Sequence, residues 1–261
     1  DSFDLELDVF SQVQNPQAQT LTSLLCPSDG GEGFFVHTSG KVFGKGNYAA
    51  YVSPVHVEHQ TEFPGALGGF DVEEGKATGQ KMRRVKDGTT KTICFAEVRR
   101  RPGEIGERDP RGAWAVPWAG SSLLSVDLHS VCECGGGDRR CERARNYGLG
   151  VPYIPKQVGT GGGCTTQQPA DVQTPNKQTP INDQIRPCAQ PLDAAVVGMP
   201  CTRRSGNWSS ASSRSQHLGG VNACALDGHV GFIGDDVDPR VLAMLVSISD
   251  GLTFDITDAL K

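Results

Sequence analysis

Residues 219–238 read GGVNACALDGHVGFIGDDVD. Asp227-Gly228 stands between two runs of alternating apolar residues, and Asp-Gly in that setting is a strong hairpin signal because a two-residue type I′ loop needs positive φ at both central positions. Such a loop sets Leu226 opposite His229, Ala225 opposite Val230, Cys224 opposite Gly231 and Ala223 opposite Phe232. It assigns Val221, Ala223, Ala225, Val230 and Phe232 to a core face. Asn222, Cys224, Leu226, His229 and Ile233 then form a mixed face for a neighbouring strand, loop or subunit.

A short amphipathic helix is expected next. In DPRVLAMLVSIS, Asp238 suits the N-cap, Pro239 the first helical position, and Val241, Leu242, Leu245, Val246 and Ile248 the apolar stripe. Ahead of the hairpin, His217 falls in a turn, where its ring is expected to bond a backbone carbonyl or an acid and pin the chain against the sheet. Asp235, Asp236 and Asp238 admit a calcium-ligand reading, with the plainer alternative that they are acids favoured at a helix start.

Further upstream, GFFVHT, NYAAYVSP and TKTICFAEVR read as short strands separated by glycines, as in an antiparallel meander. The last is expected to be central, because Ile93, Phe95 and Glu97 lie on one face and Cys94, Ala96 and Val98 on the other. Phe3, Leu5, Leu7 and Val9 alternate as in a strand or extended arm, and Gln17 to Leu25 suggest a short helix stopped by Pro27. Between about 120 and 205 the chain turns rich in Gly, Pro, Gln, Thr and Cys, which reads as a variable excursion.

The 261 residues include 33 glycines and 16 prolines, and only 37% are hydrophobic, which favours a β-rich α+β domain over a helical bundle. With 25 basic against 30 acidic residues the net charge is -5, and no basic face for nucleic acid is expected. Six of nine cysteines, Cys132, Cys134, Cys141, Cys164, Cys188 and Cys201, fall in the loop-like region; they imply disulfides of open connectivity and an oxidising, extracellular or cell-surface location. Cys94 and Cys224 lie inside apolar strands, either as packed thiols or as a cross-strand pair.

Other candidate chemistry reads weakly. His56 and His59 have ligand spacing only on a helix, which Pro54 and the valines oppose, so exposed loop histidines are expected. The Cys132, Cys134 and Cys141 spacing fits zinc poorly. RRRPGEIGERDPRG, residues 99–112, mixes signs as a solvated face does. Asn207-Trp208-Ser209 meets the short N-glycosylation pattern. No nucleophile elbow, catalytic Cys-His arrangement or phosphate-binding loop stands out, so no enzymatic activity is expected.

Three blocks and a fourth, shorter segment carry a resemblance. His217, nine residues and Asp227-Gly228 resemble the C-terminal signature of a large planctomycete-type family of prepilin-like proteins of unknown function. TSLLCPSD, with Cys26, Pro27, Ser28 and Asp29, resembles that family's Leu-Cys-Pro-Ser-Asp block, and VKDGTTKTICFAEVR, with Asp87 and Gly88, resembles its Asp-Gly-Thr strand ending in Gly-Glu. GAWA, residues 112–115, resembles the tryptophan segment that follows.

The resemblance implies an antiparallel head domain of pilin or pseudopilin type over residues 1–261, normally preceded by a processed leader and a hydrophobic helix that this chain lacks. It implies a structural role in a surface filament or secretion pseudopilus, with copies of itself or related subunits as partners, and with membrane contact only through that helix. It also implies a disulfide from Cys26 to a cysteine just after the helix. The alternative is a surface or secreted module that binds a sugar, peptide or metal ion, using Trp114, Trp118 and Trp208 as stacking platforms. No cofactor is expected apart from the calcium reading.

Overall fold

The computed structural model describes residues 3–71, 76–128, 173–178, 182–203 and 209–251. Its strands are β1 (Phe34–Val36), β2 (Val42–Gly44), β3 (Tyr48–Ser53), β4 (Phe70–Asp71), β5 (Lys76–Ala77), β6 (Ile93–Glu97), β7 (Leu123–Ser125) and β8 (Asp183–Ile185). Then follow helix α1 (Pro191–Val196), β9 (Cys201–Arg203), β10 (Gly220–Ala225), β11 (Val230–Gly234) and helix α2 (Pro239–Val246). The fold is mixed α/β and strand-rich, with few helices.

The central sheet runs β11-β10-β6-β3-β7. β6 is central because both its edges pair, with β10 and with β3; Cys94 and Ala96 are buried on one face, while Phe95 on the other is 42% exposed. β10 pairs antiparallel with β11 and β6, and β3 with β6, but β7 lies parallel to β3. A simple antiparallel meander is therefore not what forms. Tyr51, Leu124, Val221 and Ile233 on one face meet Leu242, Leu245 and Val246 of α2 in a common core. Asp238 caps α2, accepting from the N–H groups of Arg240 and Val241, and Pro239 opens it where no backbone donor is needed.

The β10–β11 register differs from expectation by one residue. Val221 pairs with Ile233, Ala223 with Gly231 and Cys224 with Val230. The loop has three residues instead of two: Gly228 N–H donates to the Ala225 carbonyl at 2.9 Å, and Ala225 N–H to the His229 carbonyl at 2.9 Å. Only Gly228 takes a positive φ, 94°, as in a type I turn closed by a glycine bulge. Because side chains alternate with period 2, the slip sends Ile233 into the core and leaves Val230 67% exposed.

The N-terminal alternation does not make a strand. The Asp4 carboxylate accepts the Glu6 N–H and the Asp8 carboxylate the Phe10 N–H, so local turns take the backbone donors a sheet would use. In place of one helix over Gln17–Leu25 there are two 3-10 turns, Pro16–Ala18 and Thr22–Leu24. Beside them β1 and β2 pair, and Phe35, Phe43, Ala113 and Val116 form a smaller core that takes in Phe10 and Trp118.

The charged run 99–112 is a solvated face only in part, at Glu104, Glu107 and Arg108, which are exposed. Arg101, Asp109 and Arg111 are buried. The Arg111 guanidinium bonds Asp109 at 2.6 Å and Asp183 at 2.9 Å, and Arg214 bonds Asp183 at 2.9 Å. Burial alone pushes both carboxyls up, but Arg111 beside Asp109, and Arg214 with Arg111 beside Asp183, hold them below the usual carboxylate range. The mixed signs misled because half of the partners, Asp183 and Arg214, come from a distant part of the chain.

The excursion contributes β7, β8, α1 and β9, with β8 and β9 parallel and Cys188 joined to Cys201 by a disulfide. Cys132, Cys134, Cys141 and Cys164 lie outside the described residues. Among the described residues no helix is long and apolar enough to cross a membrane.

Candidate functional site

Cys26, Glu97 and His217 come from three distant stretches of chain and meet on the face of the sheet opposite α2. In Cys26-Pro27-Ser28-Asp29 the middle pair is exposed and forms a turn, closed by the Asp29 N–H on the Cys26 carbonyl at 3.1 Å, while Cys26 and Asp29 are buried. Both are anchored. Cys26 N–H donates to Asn47 Oδ1 at 2.9 Å, and Asn47 Nδ2 donates to Asp29 and to the Val98 carbonyl. Asp29 also accepts the Arg100 N–H at 2.9 Å and pairs with its guanidinium at 3.2 Å.

Glu97 ends β6 and is buried, a place where an unpaired carboxylate would be costly. Its Oε2 accepts the Asn222 N–H at 2.7 Å and the Asn222 amide at 3.2 Å. Its Oε1 lies 3.0 Å from His217 Nε2, which is in turn 3.7 Å from Cys26 Sγ. His217 is held from behind, its N–H donating to Ser215 Oγ, which donates to the Gly220 carbonyl at 2.6 Å. Gly220 itself admits no side chain, since a Cβ there would lie 2.1 Å from the Ile233 carbonyl oxygen. Burial first, then the nearby Glu97 and Cys26, push the Tyr48 phenol up.

The geometry is convergent. A nucleophile–base–orienter relay uses both ring nitrogens of its histidine in series, whereas here the thiol and the carboxylate face the same Nε2. One sulfur, one nitrogen and one oxygen lie within 4.8 Å of one another, and among the described residues no other such grouping of three occurs.

The remaining candidates lie elsewhere. Asp227 sits at the hairpin tip, where the His229 N–H and ring hold its carboxyl down. Asp87, beside Gly88 with φ 97°, accepts the N–H groups of Asp250 and Gly251 and so ties the chain after α2. Asp235 accepts from the Asn176 amide at 2.8 Å, Asp238 is occupied as the helix cap, and Asp236 is exposed.

Neither histidine is an exposed loop residue: His56, just before the 3-10 turn Val57–His59, is buried with Nε2 2.5 Å from Asp127, and His59 is half-buried with its ring 5.5 Å from that of His56. Cys94 and Cys224 do not form a disulfide. Cys94 donates to the Cys224 carbonyl at 3.3 Å, and burial, aided by Cys224, pushes its thiol up to about 11. Trp114 bonds the Gln19 carbonyl at 3.0 Å, and Trp118 stacks on Phe10 beside a cleft of about 1500 Å³ that Phe35, His37 and Arg108 also line. Asn207 and Trp208 lie outside the described residues.

Sequence reasoning singled out Cys26, Asp29 and His217 but did not see Glu97, Asn47 or Asn222 as their partners. A usable signal existed for one of them: Glu97 is an acid at the end of an apolar strand, where a charge persists only if it is partnered. A family model described as a protein of unknown function (DUF1559) matches residues 1–240. No curated protein and no solved structure matches the chain.

Proposed function

Because the chain belongs to the family of proteins of unknown function termed DUF1559, a membership that prescribes no activity, we propose from its own surface that it is a non-catalytic, pilin-like head. In this reading it assembles with copies of itself or related subunits at the cell surface, or in the periplasm as part of a pseudopilus. One observation carries the reading: an apolar row crosses the sheet to its edge. Phe95 pairs with Cys224 and Cys224 with Val230, so the three share the face opposite α2. Phe95 is 42% and Val230 67% exposed, and β11 lies at the end of the sheet order.

An edge strand that carries exposed apolar groups invites pairing with another chain. The bonding of Cys26 and Asp29 to Asn47, just before β3, and of Asp29 to Arg100, just after β6, agrees with the same reading. In a subunit held through its N-terminal end, load enters there, and these contacts pass it directly to the sheet.

The test is sedimentation and electron microscopy of the native full-length protein. Ordered fibres or concentration-dependent association, lost in Val230→Lys with unchanged melting, are the expected result. A protein that stays monomeric at all concentrations and binds glycans or peptides in a screen would instead favour a second reading, a binding module built on the cleft beside Trp118.

A further inference from the structure

We propose that Cys26, Glu97 and His217 bind one divalent transition-metal ion of the zinc type, through Sγ, Oε1 and Nε2. The proposal does not depend on the assembly reading. A thiolate, an imidazole and a carboxylate together suit zinc and its neighbours, not calcium or magnesium, which take oxygen donors. The spacing fits as well. In a tetrahedral site with Zn–S about 2.3 Å and Zn–N or Zn–O about 2.0–2.1 Å, neighbouring donors stand about 3.4–3.6 Å apart. Here His217 Nε2 lies 3.7 Å from Sγ and 3.0 Å from Oε1, and all three donors lie within 4.8 Å of one another, so side-chain movement alone can bring them onto one ion.

Outer contacts already orient the donors as metal ligands are usually oriented. Asn222 gives both its backbone and its side-chain N–H to Oε2 of Glu97, which leaves Oε1 facing His217. Asn47 fixes the Cys26 backbone, and Ser215 fixes that of His217. Binding releases the thiol proton of Cys26 to solvent and replaces the hydrogen bond between Nε2 and Oε1 by coordinate bonds; the neutral ring keeps its single proton on Nδ1, exchanged there through solvent, while Glu97 ligates as the carboxylate. The His217 side chain is 31% exposed against 3% for Glu97, so the ion reaches the site from the His217 side and keeps a fourth position for water.

This assignment also decides the state of Cys26, since a metal-bound thiolate is not in a disulfide. The resemblance to prepilin-like proteins implied a disulfide at Cys26, and the two are exclusive.

The experiment is titration of the metal-stripped protein with Zn²⁺ and with Co²⁺. One equivalent per chain is expected, with a thiolate-to-cobalt charge-transfer band that is lost in Cys26→Ser and retained when Cys94 and Cys224 are both replaced by alanine. Asn222→Ala, which removes an orienting contact and no ligand, is expected to weaken binding about 10–100-fold. Should Cys26→Ser fail to fold, alkylation of the wild type replaces it: Zn²⁺ is expected to slow modification of Cys26 and to leave Cys94 and Cys224 unchanged. No stoichiometric uptake by the wild type, a band that survives Cys26→Ser, or mass mapping that places Cys26 in a disulfide overturns the proposal.

Discussion

Lys45 is fully buried, with its ammonium 2.7 Å from the Gly106 carbonyl. Burial, only partly opposed by Asp109, lowers it to about 8 from 10.5. Below pH 8 native and unfolded chains both carry the charge, and its desolvation cost is present in full. Between pH 8 and 10.5 the unfolded chain holds a proton that the native one has shed, so stability rises with pH across that window. Lys45→Met lacks this rise. The stability difference, wild type minus variant, is expected to climb by about 3 kcal/mol between neutral pH and the alkaline end of the window, measured by urea unfolding. Cys94, raised to about 11, acts the other way by favouring the native state until pH passes its unfolded value near 9, but it is common to both proteins and cancels.

At the scale of elements, the β10–β11 hairpin shows how one turn residue decides two faces. Asp227-Gly228 marked the turn correctly, yet the same dipeptide serves a two-residue and a three-residue loop, and the choice moves every side chain of β11 across the sheet. With a single left-handed position at Gly228, Gly228→Ala is expected to cost about 1–2 kcal/mol, read as a shift in the denaturation midpoint. A neutral outcome would mean that the loop does not use that conformation. Helix α2 was legible by contrast, because a capping acid, a proline and an apolar stripe are all local and agree.

For the whole molecule, the buried chain Asp109–Arg111–Asp183–Arg214 joins the segment before β7 to β8 and to the approach to β10. Removing one member leaves buried charge uncompensated, so Arg111→Ala is expected to destabilise by about 3–5 kcal/mol, checked by thermal and urea unfolding. The residues 1–240 matched by the family model span every member of this network and of the Cys26–Glu97–His217 cluster. What the sequence by itself determined is what depends on near neighbours: strand-rich composition, β6 as a central strand, the hairpin's existence, and the capped helix α2. Only the tertiary structure decided that β7 runs parallel to β3, that Arg101, Asp109 and Arg111 of the charged run are interior, and that Cys26, Glu97 and His217 share one point. The physical reason is distance along the chain: a polar residue's local pattern shows only that it needs a partner, whereas folding chooses which one by bringing together residues as far apart as the 191 positions between Cys26 and His217.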